Sequence, residues 1–209
     1  MYRPPAFRED RVEILHDAIR AHPLATLVTC GASGLIANVV PFGLRTRGET
    51  GVLRAHLAKA NGQVADLRAG APTLVLFHGP QAYVSPSWYP AKREHGRVVP
   101  TWNYVIVQVR GAPRIVEDAD WLRDQIADLT ATHERGRAEP WRVADAPADF
   151  VAAQMKGIVG LEVAIDRIEG KWKVSQNQPA PNRHGVEQGL RADGHDDLAG
   201  LVAGWADDA

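Results

Sequence analysis

The sequence predicts a mainly β fold, a small closed or half-closed antiparallel barrel with helices packed outside it, and three observations carry that prediction. Five or six short segments rich in β-branched and aliphatic residues follow one another, separated by turn signals. The amphipathic helical patterns stand at the ends of that run rather than between strands, which argues against a doubly wound parallel sheet. At 209 residues the chain is also long enough for one good core with a small helical appendage. A barrel that small fills its interior with side chains, so a ligand must bind on the outer wall, in a loop cleft or between subunits.

Asp10 and Glu13, with Val12, Leu15 and Ile19 on one face, read as a capped amphipathic helix that stops before Pro23. Strand-like segments follow at 25–30, 35–44 and 52–57, with turn signals at 31–34 and 47–51 between them. Residues 63–68 form one or two helical turns, and 73–77 is a wholly apolar strand ending at Gly79 and Pro80. Segment 105–109 is strongly β-prone and is ended or bent by Gly111 and Pro113. Trp121, Leu122, Ile126 and Leu129 stand at helical spacing within 118–133, and 150–155 is a shorter third helix. Strand character returns at 158–168, and the chain then enters a proline-rich loop from Lys171. The tail from Asn182 holds two short helical patterns, the second with Leu198, Leu201, Val202 and Trp205.

The formal charge is −1, whereas a duplex DNA binder is expected to carry a basic excess that neutralises phosphates. Direct DNA contact is therefore not expected. The single cysteine, Cys30, excludes an intramolecular disulfide framework and reads as a buried inert thiol. Eight histidines are scattered without metal-ligand spacing, and the dinucleotide glycine fingerprint, His-Glu-x-x-His and Gly-x-Ser-x-Gly are all missing. With no segment resembling a signal peptide and no apolar run near the roughly 18 residues that span a bilayer, a cytoplasmic protein without a membrane partner is expected.

Chemistry concentrates in three stretches. GPQAYVSPSWYPAKREHGRVVPTWNY, residues 79–104, gathers Trp88, Trp102, Tyr83, Tyr89, Tyr104 and the prolines Pro86, Pro90 and Pro100 beside a stiff loop. It reads either as the wall of a pocket for a flat ligand, with Ser85, Ser87, Thr101 and Asn103 as orienting polar groups, or as a core cluster under a long loop. HLAKANGQ, residues 56–63, puts a histidine, a lysine, an asparagine and a glutamine where a strand ends and a helix begins. It reads either as a phosphate site, its donors clustered with free backbone N–H groups at a helix start, or as a capped surface turn with a solvated lysine. Lys171-Trp172-Lys173-Val174-Ser175-Gln176-Asn177 reads either as a cationic lip over an electron-rich ligand or as a strand with Trp172 and Val174 inward and both lysines in water.

Taken together, the chain resembles the PaiB-type family, the FMN-binding negative transcriptional regulators. The resemblance rests on MYRPPAF, PLATLVT, LIANVVPF, HLAKAN, FHGPQAYVSPSWY, VVPTWNY, KGIVGLEVAI and KWKVSQN, in the family's order from residue 1 to about 190. It implies a split β-barrel of Greek-key type like that of pyridoxamine phosphate oxidases, here a single domain over 1–209 with C-terminal helical elements. A homodimer with FMN at the subunit interface is implied too. In that fold group the flavin phosphate lies near the step corresponding to His56, Lys59, Asn61 and Gln63, and the isoalloxazine lies along the strand of Asn38, Val39 and Val40. Ser85, Trp88, Tyr89, Thr101, Trp102 and Asn103, with Lys171, Trp172, Lys173, Ser175, Gln176 and Asn177, are then expected to close the pocket from the same or the partner subunit. Family members often carry histidine at the positions of Asn38 and Gln108. Amides hydrogen-bond but do not titrate near neutral pH, so acid–base work by those histidines does not carry over.

Three functions remain to be weighed: an FMN-binding protein with a regulatory effect, a flavin-dependent oxidoreductase acting on a small molecule, and a direct DNA-binding repressor. No helix-turn-helix supports the third. For the second, no side chain announces itself as proton donor; Tyr83, Tyr89 and His95 are candidates by location only.

Overall fold

A computed structural model describes residues 1–204 apart from Ser33 and Glu49, so Trp205 lies outside the described residues. In chain order the strands are β1 (Arg8–Glu9), β2 (Leu24–Gly31), β3 (Gly34–Pro41), β4 (Gly43–Arg45), β5 (Val52–Ala58), β6 (Thr73–Val84), β7 (Thr101–Val116) and β8 (Ile158–Lys173). The α-helices are α1 (Val12–Ala21), α2 (Gln63–Arg68), α3 (Ala91–Glu94), α4 (Ala119–Glu134), α5 (Ala148–Met155), α6 (Ala180–Ala192) and α7 (Asp196–Gly204). The strands make one mainly antiparallel sheet in the order β3-β2-β6-β7-β8-β5-β4, with β1 beside β8. The mainly β class with flanking helices is thus the one the sequence predicts.

The chain divides into two compact units, one of Met1–Ala18, His78–Val107 and Glu169–Ala209, the other of Ile19–Phe77 and Gln108–Ile168. In the second, period-two alternation sets the core: Ala25 and Leu27 of β2 and Leu53, Ala55 and Leu57 of β5 are buried while their neighbours point outward. Phe42, whose N–H donates to Pro23 O at 2.8 Å, interrupts the predicted 35–44 strand and packs edge-on against Phe77. That buried ring is why one predicted strand becomes two, β3 and β4. In the first unit, α6 packs on α7, and the ring of Trp88 lies where a Cβ on Gly189 would fall.

Gly79, read as a strand end, and Gly111, read as ending or bending its strand, are both interior to strands. β6 runs through Gly79 because the missing Cβ leaves room for Val105, whose Cβ would otherwise lie 2.9 Å away. β7 runs through Gly111 because a side chain there would strike the backbone of Ala164. The loop between them shrinks accordingly to 85–100, stiffened by the 3-10 turn Pro86–Trp88 and by α3. β8 likewise continues to Lys173, five residues past the predicted end at Ile168. Just before α1, Glu9 Oε1 accepts from Arg11 N at 2.9 Å, and Asp10 is held by Arg3 and Arg8. Cys30 is exposed, on the outward face of β2 opposite Leu35, where a buried thiol was expected.

Candidate functional site

In the second unit the edge strand β3 presents Leu35, Ala37 and Val39 outward, with Leu35 77% and Val39 64% exposed. On β2 the same face carries Leu24, exposed, and Thr26 and Val28, which stand opposite Val39 and Ala37. The intervening residue Asn38 points the other way. Its Nδ2 donates to Gln63 Oε1 at 3.0 Å and to Asn61 Oδ1 at 3.4 Å, tying β3 to the turn that opens α2. Val40 is buried.

That turn differs from the expected backbone nest. Asn61 N bonds Ala58 O, Gln63 N bonds Asn61 Oδ1 and Val64 N bonds Asn61 O, so these N–H groups are spent within the turn. Gln63 is fully buried, and its Nε2 donates to Leu27 O, Ile36 O and Thr29 Oγ1 at 3.1–3.2 Å. It is a clamp on β2 and β3 and has no group left to offer a ligand. What the turn presents to solvent is the ammonium of Lys59, exposed beside Ala58 and Ala60. His56 is half-buried on β5 opposite Gly160, against which the Trp121 ring rests, and its buried Nδ1 has no partner. Burial holds its pKa below the ordinary histidine value.

In the first unit the predicted lip is a strand end, and both open readings of it hold in part. Trp172 and Val174 are buried, as alternation required. The lysines, however, are not in water. Lys171 is only 8% exposed, its ammonium 5.3 Å from the Tyr104 ring centre and 5.5 Å from that of Tyr2. Lys173 donates to Thr101 Oγ1 and Trp102 O, both at 2.5 Å, and lies 6.0 Å from the Phe7 ring centre. Burial pulls the Lys173 pKa down, and the charge of Lys171 adds to the effect. Asn103 and Ser175 exchange hydrogen bonds, and Gln176 is spent on Trp172 O and Val174 N. Asn177 is exposed. Tyr2 and Phe7 were missed as members of this cluster, although both lie in the opening motif MYRPPAF.

The remaining aromatic residues divide. Trp102 is exposed and packs edge-on to Tyr83, 6.1 Å between ring centres. Trp88 and Tyr89 turn inward, Trp88 onto Gly185 and Gly189 of α6, so here the core reading of the loop prevails. Ser85 caps the 3-10 turn by accepting from Ser87 N at 3.2 Å. Burial raises the Tyr89 hydroxyl above its ordinary pKa, and exposed His95 accepts from Arg97 N through Nδ1. Gln108 is buried, with its amide oxygen accepting from Arg110 at 3.2 Å. Among the described residues, no group of three His, Cys, Asp or Glu is placed to hold a metal, and no helix is long and apolar enough to cross a membrane.

The family described as "Putative FMN-binding domain" matches residues 1–167. The chain is 30% identical to protease synthase and sporulation protein PAI 2 of Bacillus subtilis, over 85% of this chain and 83% of that one. The chain belongs to the PaiB-type FMN-binding family. It is also 34% identical to the uncharacterized protein AN0679 of Emericella nidulans, covering 94% of this chain and 92% of the relative. Among solved structures it is similar to the FAD and heme binding protein of Mycobacterium smegmatis, with a TM-score of 0.59 and 20% identity over 79% of this chain and 73% of that one. That likeness shows the split-barrel fold. FMN is the cofactor of this PaiB-type domain.

Proposed function

We propose that the protein is a homodimeric PaiB-type FMN-binding protein that carries its flavin along β3, with the phosphate at the Lys59–Asn61 turn, and that its regulatory effect does not come from reading DNA sequence. The observation that carries this reading is the Asn38 amide, which bonds Gln63 and Asn61 and so fixes the edge strand against the turn. The donor set fits FMN. Lys59 supplies an exposed cation, Asn61 an amide and His56 a buried unpartnered nitrogen, while Ala37 and Val39 supply apolar area for a flat ring. FMN, when bound, brings one- and two-electron chemistry of its own.

The dimer is supported by the same strand. An edge strand with Leu35, Ala37 and Val39 exposed in a row is unsatisfied in water and exposed to unwanted pairing, and a second copy covers it. The B. subtilis relative is named for protease synthase and sporulation, and a regulatory effect on processes of that kind is proposed here. The test is the visible spectrum of the purified protein before and after FMN addition, with light scattering on the same sample. A dimer binding one FMN per chain is expected; a monomer that binds flavin stoichiometrically overturns the reading.

A second reading, a flavin-dependent oxidoreductase acting on a small molecule, is favoured by one observation. Lys171 and Lys173 place two part-buried ammonium groups among Tyr2, Tyr104 and Phe7, a setting that attracts an electron-rich aromatic guest. Flavin reduction by a nicotinamide donor, followed by turnover with added acceptors, separates this reading from a purely regulatory one.

A further inference from the structure

We propose that the second unit holds a binding site, separate from the flavin, for a small organic phosphate monoester. The site is a cavity of about 480 Å³ in the space bounded by β4, β5 and the C-terminal half of α4, within the range of ligand pockets. Arg20, Arg45, Arg54 and Arg135 all line it, together with His133, and Asp128 is the one carboxylate among the lining residues. Four guanidiniums against one lining carboxylate leave the wall net positive, and a dianion offsets that charge while accepting several charge-assisted hydrogen bonds.

The cationic wall is built into the fold. Arg54 is held with its guanidinium 4.0 Å over the Trp121 ring, and Glu162 lies 3.5 Å from its Nε. Its backbone carbonyl accepts from the buried Gln125 amide at 3.3 Å. Burial lowers the Arg54 pKa, Glu162 and Asp124 oppose that, and Arg45 and Arg114 add to it. Arg45 is paired with Asp128, whose carbonyl accepts from Thr132 Oγ1. Pro23, Leu44, Leu129 and Ala131 complete the lining with apolar surface. A bare inorganic anion would leave that surface in water, which selects a phosphate attached to an apolar body.

The FMN-saturated protein is titrated calorimetrically with phenyl phosphate at fixed ionic strength, with benzoate and phenol as the singly charged and neutral probes. Saturable binding of one phenyl phosphate per chain is expected, at least about tenfold tighter than benzoate. The double variant Arg20→Ala/Arg135→Ala should weaken it by at least about tenfold and leave FMN affinity within about twofold. Ala131→Trp, which adds bulk to the lining and removes no charge, should weaken phenyl phosphate binding as well. Absence of saturable binding, or undiminished binding in both variants, overturns the proposal. So does parallel loss of FMN and phenyl phosphate, because the arginines would then belong to the flavin site.

Discussion

Asn38 Nδ2 donates to Gln63 Oε1 at 3.0 Å, a bond between an edge strand and a buried helix-start side chain that are twenty-five residues apart. Through it, the strand proposed to carry the flavin ring and the turn proposed to carry its phosphate share one rigid hydrogen-bond set. Gln63 faces three acceptors with its Nε2 and one donor with its Oε1, and no solvent reaches it.

Gln63→Glu should therefore destabilise the fold severely. The carboxylate puts an acceptor against Leu27 O, Ile36 O and Thr29 Oγ1, and each buried polar group left unsatisfied costs about 1–3 kcal/mol. Gln63→Leu should cost less than Gln63→Glu because it buries no charge. Urea unfolding monitored by tryptophan fluorescence measures both; equal stability of wild type and Gln63→Glu would refute the clamp.

Replacing Lys59 and Asn61 together by alanine should weaken FMN by at least about two orders of magnitude, since charge-assisted bonds contribute about 1.5–3 kcal/mol each. Riboflavin, which lacks the phosphate, should lose far less. Fluorescence titration of both ligands decides it, and equal losses would remove the phosphate from this turn.

The outward face of β3 gives a third expectation. Val39→Glu sets a charge in a row with Leu35 and Ala37, where a second copy is proposed to pack, while leaving the inward residues Asn38 and Val40 untouched. The variant should be monomeric at concentrations where the wild type is a dimer, with FMN affinity reduced along with it. Light scattering that finds an unchanged dimer would move the interface elsewhere.

Strand positions were legible wherever burial alternates, as in Leu53, Ala55 and Leu57, and the bounds of α2 follow from local pattern alone. Gly79 was misread, and Gly111 left open between an end and a bend, because a glycine that lets another strand approach looks the same in sequence as one that ends a strand. Gln63 was grouped with ligand donors for a similar reason: an amide gives no sign of whether its partner is a backbone carbonyl or a phosphate. Burial of Lys171 depends on Tyr2, far away in the chain, so no local window could reveal it. By contrast the family motifs, each too short to specify a site, sufficed in order to identify the fold and FMN.

His56 should make the protein acid-sensitive. Burial depresses its folded pKa below 6.5, so as pH falls the unfolded state takes up the proton first, and the stability present above 6.5 is lost below it. His56→Gln removes that proton uptake, and its unfolding midpoint should fall less than that of the wild type on moving from neutral to mildly acidic pH. Parallel midpoint curves would assign the acid response to other groups.

DNA binding by the pure protein should be weak and indifferent to sequence. With a formal charge of −1 the chain offers no excess of cations to release counterions from a duplex, so neither high affinity nor a steep salt dependence is expected. Locally, Arg114 is paired with Glu162, Arg123 with Asp120 and Arg137 with Glu134, so these guanidiniums already have carboxylate partners. Arg135 lines a cavity with three other arginines, a setting suited to a small enclosed anion more than to a continuous backbone. A competition assay at physiological salt between a promoter fragment and scrambled duplex, with and without FMN, measures the preference. Equal competition by the two duplexes is expected; a clear preference for the promoter would make direct repression the better account of the regulatory effect.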